Sequence, residues 1–359
     1  MRILHVSPQN YTGVLSLYPR GHRALGHESR LVTFYRASNR YEEDICLDLP
    51  FVGPMEWLWK VKRLVGAGSM RVPFTGTRER ITWTPGPLER LLLGFRNAVW
   101  TPRIDSARRR WSLDDFDIYH YEGGMSFFRD GRDVARLKSA GKRIVSNYHG
   151  LDLRMRGAIR PVWDATDVHV TCEFDLFRRY DELEYMFLPF DPSLMPERGP
   201  DGGTVRICHA PRIREVKGTG AVIEAVERLS RRMPVELVLI EGLPHAEALA
   251  LKASCQIAID QIADGDMGYG VNSLESLSMG IPTVTNLSVE YRDFIPDHPF
   301  VLATPGSLEK VLGDLVLDPG MRASFGSAGP PWIEARHHWL KVARDMHALY
   351  RRMGWESDG

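Results

Sequence analysis

Apolar residues come in short runs, and these alternate with stretches of helical period. RILHVS at 2–7 is a continuous apolar strand pattern. A polar turn follows, then a helical stretch over 14–25 that stops at Gly26. SRLVTFY at 29–35 is the next strand. This β-loop-α-β opening has the form of a Rossmann-like α/β unit. Further strands are expected at 117–121, 143–148, 168–172 and 185–188, with helical stretches between several of them. The texture changes at 189–203, PFDPSLMPERGPDGG, where proline and glycine predict a linker. A second α/β series follows, with strands at 205–209, 235–241, 256–260 and 281–285 and helices at 219–232, 246–253 and 271–279. A last long helix is expected over 332–353, with apolar Ile333, Leu340, Val342, Met346 and Leu349. The pattern thus predicts a first domain at 1–190, a linker at 191–204 and a second domain at 205–331. Two such halves place a ligand in a cleft, at the carboxyl ends of the strands.

Composition agrees: 359 residues suit two domains, and 43% hydrophobic with 26% charged residues describe an ordinary globular protein. Net charge is zero, so nothing global points to nucleic acid. The charge is unevenly spread, however. Residues 56–111 hold twelve Lys and Arg against four acids, interleaved with Trp57, Trp59, Trp83, Trp100 and Trp111. This marks 51–111 as a basic, Trp-rich insertion. MEWLWKVKRLVG at 55–66 puts apolar and basic residues on opposite helical faces, which suits an anionic membrane surface or a phosphate-bearing acceptor. The competing reading is an irregular insertion whose Trp residues are core. Cys46, Cys172, Cys208 and Cys255 show no Cys-x-x-Cys or Cys/His ligand spacing, which argues against zinc and against a disulfide scaffold. There is no signal-peptide core and no transmembrane run, so the expected location is the cytoplasm, with peripheral contact at the inner membrane face. DDFD at 114–117 precedes a strand, where surface carboxylates are common, and no metal is expected there.

The most informative stretch is GYGVNSLESLSMGIPTVTN at 268–286. Gly268 and Gly270 let backbone approach a ligand. Asn272 and Ser273 are expected to cap a short helix, and Gly280 with Pro282 ends it. A helix N-terminus offers N–H groups and a positive dipole end to an anion. Glu275 sits one helical step further on, where a carboxylate suits the two hydroxyls of a ribose. The alternative is an ordinary βα turn with a surface Glu. HAPRIREVKGTG at 209–220 crowds Arg212, Arg214 and Lys217 at another helix start, which costs stability unless an anion sits between them. A solvated basic turn is the competing reading, and His209 is expected in the core. SNYHGLDLR at 146–154 puts His149, Asp152 and Arg154 on one loop. NYTG at 10–13 offers Gly13 at the first turn, and IEGLPH at 240–245 offers Glu241 and His245 to a nucleobase pocket.

GYGVNSLESLSMGIPTVTN resembles the donor-site signature of the retaining GT-B glycosyltransferases of the large "group 1" (GT4-like) family. The resemblance runs through the second domain and covers the first in patches; 40–115 has no counterpart. It implies two Rossmann-like domains facing across a cleft, with a C-terminal helix at about 332–359 crossing back to the first domain. The first domain would take the acceptor and the second a nucleoside-diphosphate sugar. Glu275 would bind the ribose. The diphosphate would lie against Gly13, Arg212, Arg214, Lys217, Gly270, Val271, Asn272 and Ser273. Asp266, Met267, Gly268 and Tyr269 would lie near the donor sugar; the family's first glutamate falls at Met267, a departure from its pattern. His149 would touch the transferred sugar, and Asp152 would orient its loop or bind an acceptor hydroxyl. His149, Asp152 and Lys217 are the implied catalytic set. The implied reaction retains anomeric configuration and needs no metal or other cofactor. Its acceptor is a glycan, lipid-linked or small-molecule hydroxyl, and the leaving diphosphate takes the acceptor proton. Met267 motivates the alternative of a degenerate nucleotide- or glycan-binding protein. A sugar-nucleotide epimerase is the other alternative; a dehydrogenase is disfavoured because no G-x-G-x-x-G follows the first strand.

Overall fold

The computed structural model describes residues 1–37, 39–51, 82–200, 202–263 and 265–356. The segment 55–66, to which the membrane reading belongs, lies outside them. No helix among the described residues is long and apolar enough to cross a membrane. The chain forms two compact units: Met1–Pro189 with Val342–Gly359, and Phe190–Lys341.

The first unit is built on a seven-stranded parallel sheet. Its strands are β1 (Arg2–Ser7), β2 (Glu28–Thr33), β3 (Ile45–Cys46), β5 (Ile118–Glu122), β6 (Arg143–Tyr148), β8 (Val168–Thr171) and β9 (Leu183–Tyr185), in the order β3-β2-β1-β5-β6-β8-β9. β4 (Thr82–Trp83) pairs separately with β7 (Ala158–Ile159). Central strands are buried on both faces, which is why they do not alternate apolar with exposed polar positions. The order reverses between β1 and β5, so loops after those strands diverge and open a crevice at their carboxyl ends. The strand expected at 185–188 lies earlier, at Leu183–Tyr185.

The basic insertion contains a helix that its composition concealed, Pro87–Trp111. Gly86 precedes it, Pro87 fits the first helical position, and Ser112 ends it in the left-handed region at φ 53°. Trp100, Ile104 and Ala107 bury one stripe in the sheet's core, and the Trp100 indole N–H donates to the Pro50 carbonyl at 2.8 Å. Trp83 and Trp111 pack against the same core, so these three fit the structural reading of the insertion.

The second unit carries a five-stranded parallel sheet. Its strands are β10 (Val205–His209), β11 (Val235–Leu239), β12 (Ile257–Ile259), β13 (Thr283–Thr285) and β14 (Val301–Leu302), ordered β11-β10-β12-β13-β14. Here the reversal falls between β10 and β12.

The single helix expected over 332–353 is two, Pro319–Arg336 and Trp339–Arg352. The Phe190 N–H donates to the His337 carbonyl at 2.7 Å, and the Trp339 N–H donates to the Phe190 carbonyl at 3.0 Å. The backbone of Phe190 thus takes bonds that helix continuity would have used. The first helix also starts earlier than its glycines and prolines suggest, because Asp318 caps it through the Met321 N–H at 2.8 Å.

Candidate functional site

In the second unit the expected residues gather on Asp260, the last residue of the strand expected at 256–260. Asp260 follows β12 and is fully enclosed. Its carboxylate accepts from Lys217 Nζ at 2.7 Å, Ser273 Oγ at 2.6 Å, Asn272 Nδ2 at 3.1 Å and the Gly270 N–H at 3.2 Å. Burial alone would raise this carboxyl. The Lys217 charge and the Ser273 and Asn272 bonds outweigh burial and hold it at about 2. Asp260 therefore ties the turn after β10 to the start of the helix Val271–Ser278.

That helix begins at Gly270 in extended backbone, and the predicted caps Asn272 and Ser273 lie inside it. Their side chains are drawn to Asp260 instead. The N–H groups of Val271 and Asn272 have no acceptor among the described residues. A Cβ at Gly270 would meet nothing within 4 Å, so this helix start stands open. Gly268 differs. It has φ +71°, and a Cβ there would collide with the Tyr291 ring, so its close approach is to protein.

Glu275 is buried, and its carboxylate meets His245 and the Lys252 ammonium. His245 Nε2 donates to it at 2.8 Å, and Lys252 Nζ bonds its other oxygen. Lys252 is itself buried and also donates to Asn272 Oδ1 at 2.7 Å. Burial opposes the Glu275 charge, but His245 and Lys252 prevail and lower its pKa. The structure thus joins Glu275 and His245, which the sequence proposed separately.

Other expected residues go elsewhere. Arg214 forms a two-point ion pair with Glu241, with Nε to Oε1 at 2.8 Å. Arg212 is exposed. Tyr269 stacks among Tyr291, Phe300, Trp332 and His337, and its hydroxyl lies 3.0 Å from His337 Nε2. Asp266 is exposed and Met267 half-buried. His209 is a core residue, as expected: Nδ1 donates to the Ile259 carbonyl and Nε2 meets Thr219 Oγ1, both at 2.9 Å.

In the first unit, the loop after β6 is set by Asp152. Its carboxylate accepts the N–H groups of His149 at 2.8 Å, Leu153 at 2.7 Å and Gly150 at 3.2 Å. Of the two roles offered for Asp152, its bonds serve the first, orienting the loop. Arg154 faces Glu173 and Asp175. His149 Nε2 donates to Glu122 Oε2 at 2.8 Å, at the carboxyl end of β5; the imidazole is 30% exposed and the carboxylate 1%. His5 Nδ1 donates to the other oxygen at 2.9 Å. Burial opposes both charges, yet Cys172 and then Glu122 raise His149 well above its ordinary value, and His149 with His5 lowers Glu122. Gly13 is left-handed at φ +78°, and a Cβ there would lie 2.7 Å from the Tyr41 ring.

Sequence reasoning passed over Glu122 and Lys252. Each carried a signal: one acid closing the apolar run IYHYE, and one Lys late in the mostly apolar helix HAEALALKA.

No protein-family model matches the chain, and no curated protein matches it. Among solved structures it is similar to the N-terminal domain of trehalose-6-phosphate phosphatase from Candida albicans, at 12% identity and TM-score 0.64 over 98% of this chain and 96% of that one. It is also similar to the catalytic domain of Starch Synthase IV from Arabidopsis thaliana bound to ADP and acarbose, at 9% identity and TM-score 0.61 over 98% and 99%. A UDP-N-acetylglucosamine 2-epimerase aligns at 12% identity and TM-score 0.54 over 99% and 98%. The chain has the GT-B fold. At such identities the likeness carries the fold alone. In GT-B terms, the Asp260 cluster and the His149 loop each stand at the carboxyl ends of their own unit's strands, the first beside its unit's reversal of strand order and the second one strand away from it.

Proposed function

We propose that the protein transfers a glycosyl group from a nucleoside-diphosphate sugar to an acceptor hydroxyl. The observation that carries this reading is the Asp260 cluster, which fixes Lys217 beside the open N-terminus of the helix Val271–Ser278. An ammonium has three N–H donors, and Asp260 takes one. The remaining two, with the N–H groups of Val271 and Asn272, suit a diphosphate. Glu275, beside His245, suits the ribose and its base. The Starch Synthase IV structure holds ADP and acarbose, a nucleotide and a saccharide, which accords with such a donor.

In this proposal the bond from the anomeric carbon to the diphosphate oxygen breaks and a bond to the acceptor oxygen forms, with retention. The acceptor proton passes to the departing diphosphate. Lys217 and the helix N-terminus stabilise the charge that develops on the diphosphate, and no metal is needed for that step. His149, held as a cation by Cys172 and Glu122, serves as a hydrogen-bond donor to a sugar oxygen and not as a general base. The basic insertion favours a phosphate-bearing or lipid-linked acceptor, with peripheral contact at the cytoplasmic face of a membrane. Met267 favours a second reading, nucleotide binding without transfer.

Thermal denaturation with UDP, GDP, ADP, TDP and CMP tests the donor site. A ligand at about 100 times its Kd adds about 2.7 kcal/mol. One diphosphate should stabilise the wild type; Glu275→Gln should weaken it, and Lys217→Ala should weaken diphosphate more than nucleoside. No stabilisation by any nucleotide refutes the donor site. Binding without turnover of the matching sugar conjugates, with or without acceptor, favours the second reading.

A further inference from the structure

A cluster of buried histidines occupies the first unit, beneath the candidate site. His5 on β1, His22 on the helix Leu17–Ala24 and His120 on β5 are each at 0% exposure. They offer one ligand atom each, all within 4.8 Å of one another. One ring nitrogen of each is held from outside. His5 Nδ1 donates to Glu122 Oε1 at 2.9 Å, His22 Nδ1 meets His347 Nε2 at 2.9 Å, and His120 Nε2 meets the Tyr350 hydroxyl at 2.5 Å. The nitrogens left over are His5 Nε2, His22 Nε2 and His120 Nδ1, and none has a hydrogen-bond partner among the described residues.

Two carboxylates fix the tautomers. A carboxylate only accepts, so His5 Nδ1 carries the proton of that bond, and Nε2 is the ring nitrogen left to bind. His347 Nδ1 donates to Glu356 Oε2 at 3.0 Å, so its Nε2 is an acceptor and His22 Nδ1 donates to it. His22 Nε2 is then a second lone pair with no donor among the described residues. Buried acceptors without donors are costly and rare. A hydrogen bond on the outer nitrogen, orienting an inner lone pair, is what surrounds a histidine that binds metal.

We propose that His5, His22 and His120 bind one divalent transition-metal ion through these inner nitrogens. Zinc is the ion whose chemistry fits three neutral imidazoles, with a water completing four-coordination. The His5 and His120 rings stack with centroids 4.4 Å apart. Imidazoles about 2.0–2.1 Å from an ion stand somewhat further apart, so binding spreads this pair. The ligands come from two strands and the first helix, and their outer partners His347 and Tyr350 come from the helix Trp339–Arg352. The ion ties these elements together, and its role is structural, apart from glycosyl transfer.

The full chain, stripped with a chelator and returned to Zn²⁺ or Co²⁺, provides the test. Wild type should retain one equivalent through gel filtration, gain thermal stability, and show the visible absorption of tetrahedral nitrogen ligation with Co²⁺. His120→Asn and His5→Gln should lose that equivalent. His27→Ala should keep it, although His27, His347 and Glu356 form a neighbouring cluster of possible ligands. No uptake by the wild type overturns the proposal. So does uptake kept by both ligand variants, or uptake lost in His27→Ala alone. The wild-type arm decides even where a ligand variant fails to fold.

Discussion

At the scale of single residues, the pair His149–Glu122 governs the pH response of the first unit. His149 has a folded-state pKa raised well above its ordinary 6.5. Its contribution to stability is therefore full below pH 6.5 and is lost as pH rises through the raised value. Glu122 is lowered, so its share is present above its ordinary 4.5 and fails only in strong acid. The melting temperature of wild type minus that of Glu122→Gln should be greatest between about pH 4.5 and 6.5 and shrink toward alkaline pH. A difference that stays flat from pH 6 to 10 would remove the charge from this pair and with it the donor role of His149.

At the scale of elements, the helix Pro319–Arg336 lies against the backbone leading away from Glu275. A Cβ at Gly329 would come 2.5 Å from the Leu277 carbonyl oxygen, and one at Gly326 would collide with the Gly280 carbonyl. These neighbours are backbone and cannot swing aside. Gly329→Ala should destabilise the second unit by about 1–3 kcal/mol, the usual cost of overpacking. Urea denaturation measures it; an unchanged midpoint would mean that the two helices separate freely. The same contact explains a limit of sequence reading. GSAGPP at 326–331 carries glycines and prolines that mark a loop by local rules, and only the facing helix makes these glycines useful. The strand at Val205–His209 was legible because burial on both faces leaves it mostly apolar, with Arg206 the half-buried exception.

At the scale of the molecule, the chain ends by returning to its first unit. Val342, Met346, Leu349 and Tyr350 are buried there, and His347 and Tyr350 partner His22 and His120. Losing one large core side chain costs about 2–5 kcal/mol, and a domain's whole stability is about 5–15 kcal/mol. Truncation after Lys341 should therefore unfold the first unit while the second keeps a cooperative transition. Calorimetry and limited proteolysis of the truncated chain would show it, and two transitions at wild-type temperatures would refute it.

The sequence by itself determined the two α/β halves, most of their central strands and the loop-helix-strand around Glu275. Each is a local matter: a parallel strand buried on both faces, a glycine beside a helix start, a run of one period. Only the tertiary structure decided which groups meet. Lys217 and Ser273 share Asp260 because the β10 and β12 loops diverge at a reversal of strand order. Lys252 reaches Glu275, and Glu122 joins His5 to His149, across separations that no spacing rule spans. The histidine cluster draws on positions 5, 22 and 120, so the absence of a ligand motif said nothing about it. Chain neighbours fix the elements, whereas charge and lone pairs are matched by neighbours in space.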